Sequence, residues 1–280
     1  MSNYKIRVKF FIMGLPALAG FFLLYLYPFS RTLWYSMIDN TYRGAFVFLD
    51  NYISVLKNSY FRLAVKNTIV FSLAGVSCIV MLSLTLSFGF ASLGKQFTPV
   101  RNLLVSPMVL PTASVIFVWQ LIFQSGSYRG LAGRAAGAGF WAILPIYLLY
   151  IWKNTGLNII IFSAAIAGIP PEINEAAALD GAAGLRLRRL VTLPLITPGV
   201  MFVLTLSFVN ALKVFRESFL FFRTDYPPDI AYTVQYYMNN HFKKLNYPTL
   251  TAASVIFTLL IAAVLSVMYR WENTHNDKIY

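Results

Sequence analysis

The chain has 280 residues, of which 58% are hydrophobic and only 12% are charged. Soluble proteins carry about 25% charged residues, and one soluble core cannot bury this much apolar surface, so the composition indicates membrane spans. The formal net charge of +13 would suggest nucleic acid for a soluble protein. Here no separate basic domain exists, and basic residues commonly flank membrane spans. Nucleic acid is therefore excluded as a partner.

The first predicted element is a membrane span near the N-terminus. Basic residues precede an apolar run at about 10–27. Small residues at 17–19 resemble a signal-peptide cleavage site, but the apolar run continues beyond them, which favours an uncleaved signal-anchor helix. Pro28 is expected to kink or end this span.

Five further apolar runs predict an all-α membrane protein with six transmembrane helices in one domain, 1–280. Prolines at 107 and 111 lie inside the third span and are typical of irregular helices in transporters. Cys78 is alone within the second apolar run, so a disulfide is excluded and a packing role is expected. The predicted spans are about 10–27, 67–93, 103–123, 140–168, 199–222 and 249–269.

A stretch at the end of the second span almost matches a nucleotide-binding loop. Gly89 to Gln96 nearly fits the pattern G-x4-G-K-[ST], but glutamine replaces the hydroxyl residue that follows Lys95. Such a loop also needs a strand before it, whereas an apolar helix is predicted here. We interpret this stretch as a helix end and predict that the chain binds no nucleotide itself.

A long polar interruption lies between the fourth and fifth spans. Pro170 and Pro171 are a helix start signal, and the alanines after Glu175 favour a short helix. Asp180 and Gly181 then predict a turn or a helix end.

This interruption resembles the EAA loop of ABC-importer permeases, whose pattern is E-A-A, three residues, G, nine residues, I, any residue, and L-P. Val191 in place of isoleucine is the one departure. The flanking residues are similar to those of the carbohydrate branch of the family, and the resemblance extends from about residue 10 to the end. The residues at the fixed positions of the pattern are Glu175, Ala176, Ala177, Gly181, Val191, Leu193 and Pro194.

The resemblance implies the type I ABC importer permease fold and a membrane-spanning subunit of an ATP-driven, binding-protein-dependent sugar importer. The implied location is the bacterial cytoplasmic membrane. The implied partners are a second homologous permease subunit in a heterodimer, two ATPase subunits, and an extracytoplasmic solute-binding protein. ATP and magnesium would belong to the ATPase subunits, so this chain would hold no cofactor and would not be an enzyme.

The same resemblance implies that the EAA loop is cytoplasmic and docks a short helix into a groove on the ATPase. Six spans place both termini on one side, and the flanking basic residues weakly favour the cytoplasm for them. The residues implied in coupling to the ATPase are Glu172, Glu175, Ala176, Ala177, Asp180, Gly181, Leu193 and Pro194.

Polar side chains within the fourth and fifth spans are candidates for the substrate path, because polar groups at membrane depth usually face a cavity or the protein interior. Asn154 and Asn158 share one helix face, and Ser207 and Asn210 share another. Amides and hydroxyls match sugar hydroxyls as donors and acceptors, and Tyr150 is a candidate to stack on a pyranose ring. The alternative is ordinary hydrogen bonding between helices.

Two interpretations fit the charges near the end of the fifth span. Lys213, Arg216 and Glu217 form an ion-paired cluster, since Lys213 and Glu217 are i,i+4 neighbours on a helix. Alternatively, they contact an acidic substrate. Pairing is the preferred interpretation, so a neutral oligosaccharide is modestly preferred over an anionic sugar, and Lys213 remains a candidate for the substrate path.

Three other classes of protein compete with a sugar importer. An ABC importer for a peptide, a phosphate ester or an amino acid would carry the same motif. An ion-coupled secondary transporter is disfavoured, because no paired internal repeats and no lone intramembrane acidic residue are found. An intramembrane enzyme would need a nucleophile with a base, or metal ligands, at depth, and two distant histidines do not supply them.

Overall fold

The computed structural model describes residues 13–42, 44–91, 98–123 and 139–276. The basic residues that precede the first span, and Lys95 of the stretch that resembles a nucleotide-binding loop, lie outside the described residues.

The described chain is helical, with one isolated antiparallel bridge between Ile38 and Phe46. This confirms the predicted all-α fold class. The helices of eight or more residues are α1 (Met13–Tyr35), α2 (Asp50–Lys57), α3 (Ser59–Ala91), α4 (Thr98–Val109), α5 (Thr112–Phe123), α6 (Gly139–Ala167), α7 (Pro171–Leu179), α8 (Thr197–Leu212), α9 (Phe215–Phe222), α10 (Val234–Lys243) and α11 (Tyr247–Asn276). Shorter helical turns lie at Gly184–Leu187, Arg188–Thr192, Leu193–Leu195 and Asp229–Ala231.

Helix α1 continues past Pro28. A π-helical turn at Phe22–Leu26 comes immediately before the α-helical segment Tyr27–Tyr35. Pro28 therefore lies directly after the π-turn, in the first turn of the α-helical segment. The span does not end at Pro28, and the irregularity beside this residue is a π-turn inside a continuing helix.

Several helices are long and apolar enough to cross a membrane. Helices α1, α3 and α11, and the α8–α9 pair, each meet that criterion. The α4–α5 pair bends by 105° and the α6–α7 pair by 70°, which gives four candidate spans, or up to six if each bent pair is one span.

Proline explains the bend between α4 and α5. Pro107 lies inside α4, and Pro111 occupies the break before α5. Proline lacks an amide hydrogen and clashes with the preceding helical turn, so it kinks or ends helices. The bend directs α5 away from α4, and both helices contribute side chains to the site described below.

The residues form two compact units. The first consists of Met1–Arg62 and Tyr237–Ile261. In it, the hydroxyls of Ser36 and Tyr52 lie 2.6 Å apart. The amide of Asn51 donates to the carbonyls of Ser36 and Ile38 at 3.1 and 2.8 Å. These bonds fold the segment after α1 back onto α2.

The second unit consists of Leu63–Tyr236 and Ala262–Tyr280, and α6 runs through its centre. Helix α6 packs against α4, against α8 and against a short 3-10 turn at Asp229–Ala231. Its buried residues Ile143, Ile146 and Leu149 belong to the apolar core of this unit. Because neighbours cover α6 on several sides, its polar residues face protein.

Cys78 does not have the packing role expected from the sequence. Its side chain is exposed on α3, and it borders a cavity of about 450 Å³ lined mainly by apolar residues of α3 and α6. An apolar run does not by itself distinguish a lipid-facing position from a core position, because both favour the same residues.

Candidate functional site

A cleft of about 410 Å³ opens in the second unit. Side chains from α4, from the middle of α6 and from the junction of α8 with α9 form its walls. Four of the six residues predicted for the substrate path line it. The lining residues are Met108, Leu149, Tyr150, Lys153, Asn154, Asn210, Lys213, Val214, Arg216 and Glu217.

The two predicted polar faces meet each other across α6 and α8. The amide of Asn210 donates to the side-chain oxygen of Asn154 at 3.1 Å. The amide of Asn158 donates to the hydroxyl of Ser207 at 2.9 Å. The first pair lines the cleft and the second is buried, so the first pair is accessible to a solute and the second pair holds the helices together.

Tyr150 does not present a free ring face. Its side chain is 3% exposed, its hydroxyl donates to the carbonyl of Ser207 at 2.8 Å, and its ring packs edge-on against Phe71. A sugar cannot stack on this ring in the present conformation. Tyr150 therefore supports the wall of the cleft.

The charged residues pair differently from the sequence expectation. The Nζ atom of Lys153 lies 2.7 Å from Oε1 of Glu217, and Arg216 lies 3.9 Å from the same oxygen. Lys213 forms no ion pair with another described residue. The i,i+4 pairing of Lys213 with Glu217 is wrong, because residues 213 and 214 separate α8 from α9 and break the helical repeat.

The cleft lies at the depth of the middle of α6. Helix α6 has 29 residues, Gly139–Ala167, and Lys153 is its midpoint. A helix of that length measures roughly 43 Å at 1.5 Å per residue, which exceeds the approximately 30 Å hydrocarbon core of a bilayer. Ionisable groups at such a depth are usually paired and functional.

Sequence reasoning placed Lys153 in the fourth span but did not assign it to the site. It also omitted Thr112, whose hydroxyl accepts hydrogen bonds from Lys153 at 3.2 Å and from Arg216 at 2.9 Å. A usable signal was present in the opposite charges of Lys153 and Glu217, since a charge inside one span needs a partner from another.

Neutralising Glu217 is expected to destabilise the second unit. The Lys153 and Glu217 side chains are 20% and 12% exposed, so Glu217→Gln leaves a largely buried ammonium without its carboxylate. Loss of one partner from a fully buried pair costs 3–5 kcal/mol, and the partial exposure reduces our expectation to about 2–3 kcal/mol.

Thermal unfolding of the purified chain with its partners measures this effect. Replacing both partners, Lys153→Met with Glu217→Gln, is expected to restore most of the loss, because it removes the unpaired charge. If Glu217→Gln unfolds at the same temperature as the wild type, the ion pair does not stabilise the unit.

The motif-bearing loop begins with helix α7, which bends by 70° from α6. Pro171 occupies the first helical position and Pro170 precedes it in an extended conformation. Proline favours this position because its missing amide hydrogen has no intrahelical partner there. The short helix therefore begins where the sequence predicts.

A Schellman motif ends α7. Gly181 has a φ of +78°, its amide donates to the carbonyl of Ala178 at 3.0 Å, and the amide of Ala182 donates to the carbonyl of Ala177 at 2.9 Å. This left-handed conformation favours glycine, since a Cβ atom is disfavoured in it. Gly181 of the motif therefore fixes the end of the helix.

One face of α7 is open. Glu172, Glu175, Ala176 and Leu179 are exposed and follow the i, i+3, i+4, i+7 spacing of a single helix face. Leu179 is 90% exposed. The open face therefore presents an apolar side chain beside two carboxylates and a small alanine.

The rest of the loop returns to the helices of the second unit. The guanidinium of Arg188 lies 5.2 Å from the ring centroid of Phe88 on α3. Leu193 and Pro194 form a short helical turn with Leu195, and the hydroxyl of Thr197 donates to the carbonyl of Leu193 at 3.2 Å.

Asp180, the remaining predicted coupling residue, occupies the C-cap position of α7. All the predicted coupling residues therefore belong to α7 or to the segment leading into α8.

Comparisons with known proteins agree with this architecture. The sn-glycerol-3-phosphate transport system permease protein UgpA of Yersinia pestis is 28% identical over 278 residues, covering 93% of this chain and 92% of that protein. The arabinooligosaccharides transport system permease protein AraP of Halalkalibacterium halodurans is 28% identical over 236 residues, covering 79% of this chain and 73% of that protein.

Among solved structures, the fold matches a chain of a bacterial alginate ABC transporter in complex with an alginate pentasaccharide-bound periplasmic protein. The TM-score is 0.75 at 21% identity, with 99% of this chain and 97% of that chain covered. The model of the binding-protein-dependent transport system inner membrane component family matches residues 81–275, which include α4 to α9 and the motif-bearing loop. The chain therefore belongs to this family of binding-protein-dependent inner-membrane transport components.

Proposed function

We propose that this permease component forms half of the translocation path of an ATP-driven importer, and that its solute is a sugar or a sugar-like molecule. The cleft between α4, α6 and the α8–α9 junction is the observation that supports this proposal. It places the amides of Asn154 and Asn210, 3.1 Å apart, beside charged groups at the mid-depth of α6. Paired amides exchange hydrogen bonds readily with hydroxyl groups, since each amide has both donors and acceptors.

The named transport systems of the relatives support a sugar-like solute. They are a glycerol phosphate system and an arabinooligosaccharide system. Membership of a binding-protein-dependent family also argues against the ion-coupled secondary transporter considered as an alternative.

The open face of α7 supports a docking role. We propose that this helix fits a groove on a cytoplasmic ATPase subunit, with Glu175 facing a basic group and Ala176 permitting close approach. The Schellman end at Gly181 makes α7 a short, well-defined element, and a rigid element transmits displacement that a flexible loop would absorb. ATP and magnesium would be held by two such ATPase subunits and not by this chain.

The remaining assembly follows from the same proposal. The chain would cross the membrane six times as one domain, with both termini and α7 in the cytoplasm. It would pair with a second, non-identical permease subunit and receive solute from an extracytoplasmic binding protein. The cleft of this chain would form one wall of the path, and the partner permease would form the other.

ATP hydrolysis by the assembled transporter in membrane discs tests the proposal. Addition of a binding protein loaded with a candidate sugar is expected to stimulate hydrolysis. Asn210→Ala removes one amide from the cleft and is expected to raise the loaded-protein concentration needed for half-maximal stimulation about three- to tenfold, the equivalent of one hydrogen bond.

Thr258→Ala is the matched control, because Thr258 is an exposed polar residue of α11 whose hydroxyl bonds within its own helix. It is expected to behave as the wild type. Uptake driven by an ion gradient without any ATPase would overturn the importer mechanism. A loaded binding protein that stimulates hydrolysis only with a non-sugar solute would overturn the solute class.

A further inference from the structure

The cleft has more positive than negative side chains. Its lining includes three basic residues, Lys153, Lys213 and Arg216, and one acidic residue, Glu217. Glu217 is committed to Lys153 at 2.7 Å. The excess of positive charge therefore belongs to Lys213 and Arg216.

The side chains of Lys213 and Arg216 are available to a solute. Lys213 is exposed and has no ion pair among the described residues. The Arg216 side chain is 67% exposed and lies 3.9 Å from a carboxylate oxygen that already holds Lys153. Its closest polar partner is the neutral hydroxyl of Thr112, at 2.9 Å. Neither cation is fully neutralised within the chain.

We propose that the cleft selects solutes that carry an anionic group, a carboxylate or a phosphate, and binds that group at Lys213 and Arg216. Asn154 and Asn210 then face the hydroxyls of the same solute. This inference rests on the proposed function and reverses the modest preference of the sequence for a neutral oligosaccharide. The name of a glycerol phosphate system among the similar proteins fits it.

The potential inside the cleft is measurable with a cysteine reporter. Met108 lines the cleft and is 52% exposed, so Met108→Cys in a Cys78→Ser background offers one thiol within the cleft. Its rates of reaction with an anionic and a cationic methanethiosulfonate are compared in the assembled transporter. Neutralising both cations, Lys213→Gln with Arg216→Gln, is expected to lower the anionic-to-cationic rate ratio by about tenfold or more.

Solute protection of the same thiol identifies the ligand. Trigalacturonate and glucose 6-phosphate are the carboxylate and phosphate probes, and maltotriose is the neutral probe. At least one anionic probe is expected to slow labelling more than maltotriose does, and the double neutralisation is expected to remove that difference. The anionic probe that protects better distinguishes a carboxylate from a phosphate. Lys57→Gln, which removes an exposed charge on α2, is the control and should change neither readout.

The outcomes separate this inference from the proposed function. The anionic selectivity is wrong, while sugar import stands, if maltotriose protects the thiol as well as the anionic probes do. The same holds if neutralising Lys213 and Arg216 leaves the anionic-to-cationic labelling ratio unchanged. If no probe protects and no sugar-loaded binding protein stimulates ATP hydrolysis, sugar import fails and the inference fails with it.

Discussion

Glu175→Lys is expected to abolish solute-stimulated ATP hydrolysis while the permease still folds. Glu175 is exposed on the open face of α7, and no described residue forms an ion pair with it. The fold therefore does not depend on this carboxylate. A carboxylate that faces a basic group across a protein interface is worth at least about 1.4 kcal/mol, which is tenfold in affinity, and reversing its sign adds repulsion.

Two measurements check this prediction. Co-purification of the ATPase with the variant is expected to fall by at least about tenfold, and the thermal unfolding temperature of the isolated permease is expected to stay at the wild-type value. Glu175→Gln separates loss of attraction from added repulsion and should give an intermediate effect. Glu272→Lys reverses a charge near the end of α11, far from the motif in sequence, and is the control.

Normal coupling in Glu175→Lys would remove the proposed role of this residue. A variant that neither binds the ATPase nor shows a cooperative unfolding transition would show that the carboxylate supports the permease fold instead. The ATPase-docking assignment of α7 would then rest on the other exposed residues of its open face, Glu172, Ala176 and Leu179.

Local signals made α7 predictable. Pro171 at the first helical position and Gly181 in a left-handed conformation are residues whose backbone preferences do not depend on distant contacts. Their spacing therefore gave both ends of the helix correctly. The exposed state of Leu179 had no such signal, because a leucine in a short helix is compatible with either surface or core.

The cleft was predictable only in part. Asn154 and Asn210 lie on the predicted helix faces and bond to each other, because a continuous helix keeps its periodicity. The break at Lys213 contains neither proline nor glycine, so nothing local predicts it. The pairing of Glu217 with Lys153, 64 residues away, follows from that break and is a tertiary effect.

Tyr150 illustrates the same limit. Its position in the fourth span was consistent with a sugar-stacking ring, and the ring instead fills space beside Phe71 and Gly75. Whether an aromatic ring lines a cavity or packs in a core depends on the small residues opposite it. Sequence periodicity gives the face of a helix but not the shape of the partner helix.

Gly156→Ala is expected to destabilise the second unit by about 3 kcal/mol, the upper part of the range for overpacked cores. Gly156 is buried in α6, and a Cβ atom there would overlap the backbone carbonyl of Leu104 in α4. A side chain can change rotamer to relieve a clash, but a helix backbone cannot. The methyl group therefore forces α4 and α6 apart along their whole contact.

Separation of α4 from α6 also reaches the cleft. Met108 of α4 lines it, and Thr112, at the start of α5, holds Lys153 and Arg216 by hydrogen bonds. We therefore expect Gly156→Ala to lower the thermal unfolding temperature and to weaken solute-stimulated ATP hydrolysis together. Gly20→Ala is the control, since nothing lies within 4 Å of the added atom.

The control should have the opposite sign of effect. Alanine is favoured over glycine by about 1 kcal/mol in a helix, so Gly20→Ala is expected to leave stability unchanged or slightly higher. The same gain in helix propensity applies at Gly156. The measured loss in the free energy of unfolding of Gly156→Ala therefore underestimates the cost of the clash. If the Gly156→Ala transporter is as stable as the wild type, the backbones of α4 and α6 are not in contact at Gly156. The position of α4 in the wall of the cleft would then be wrong.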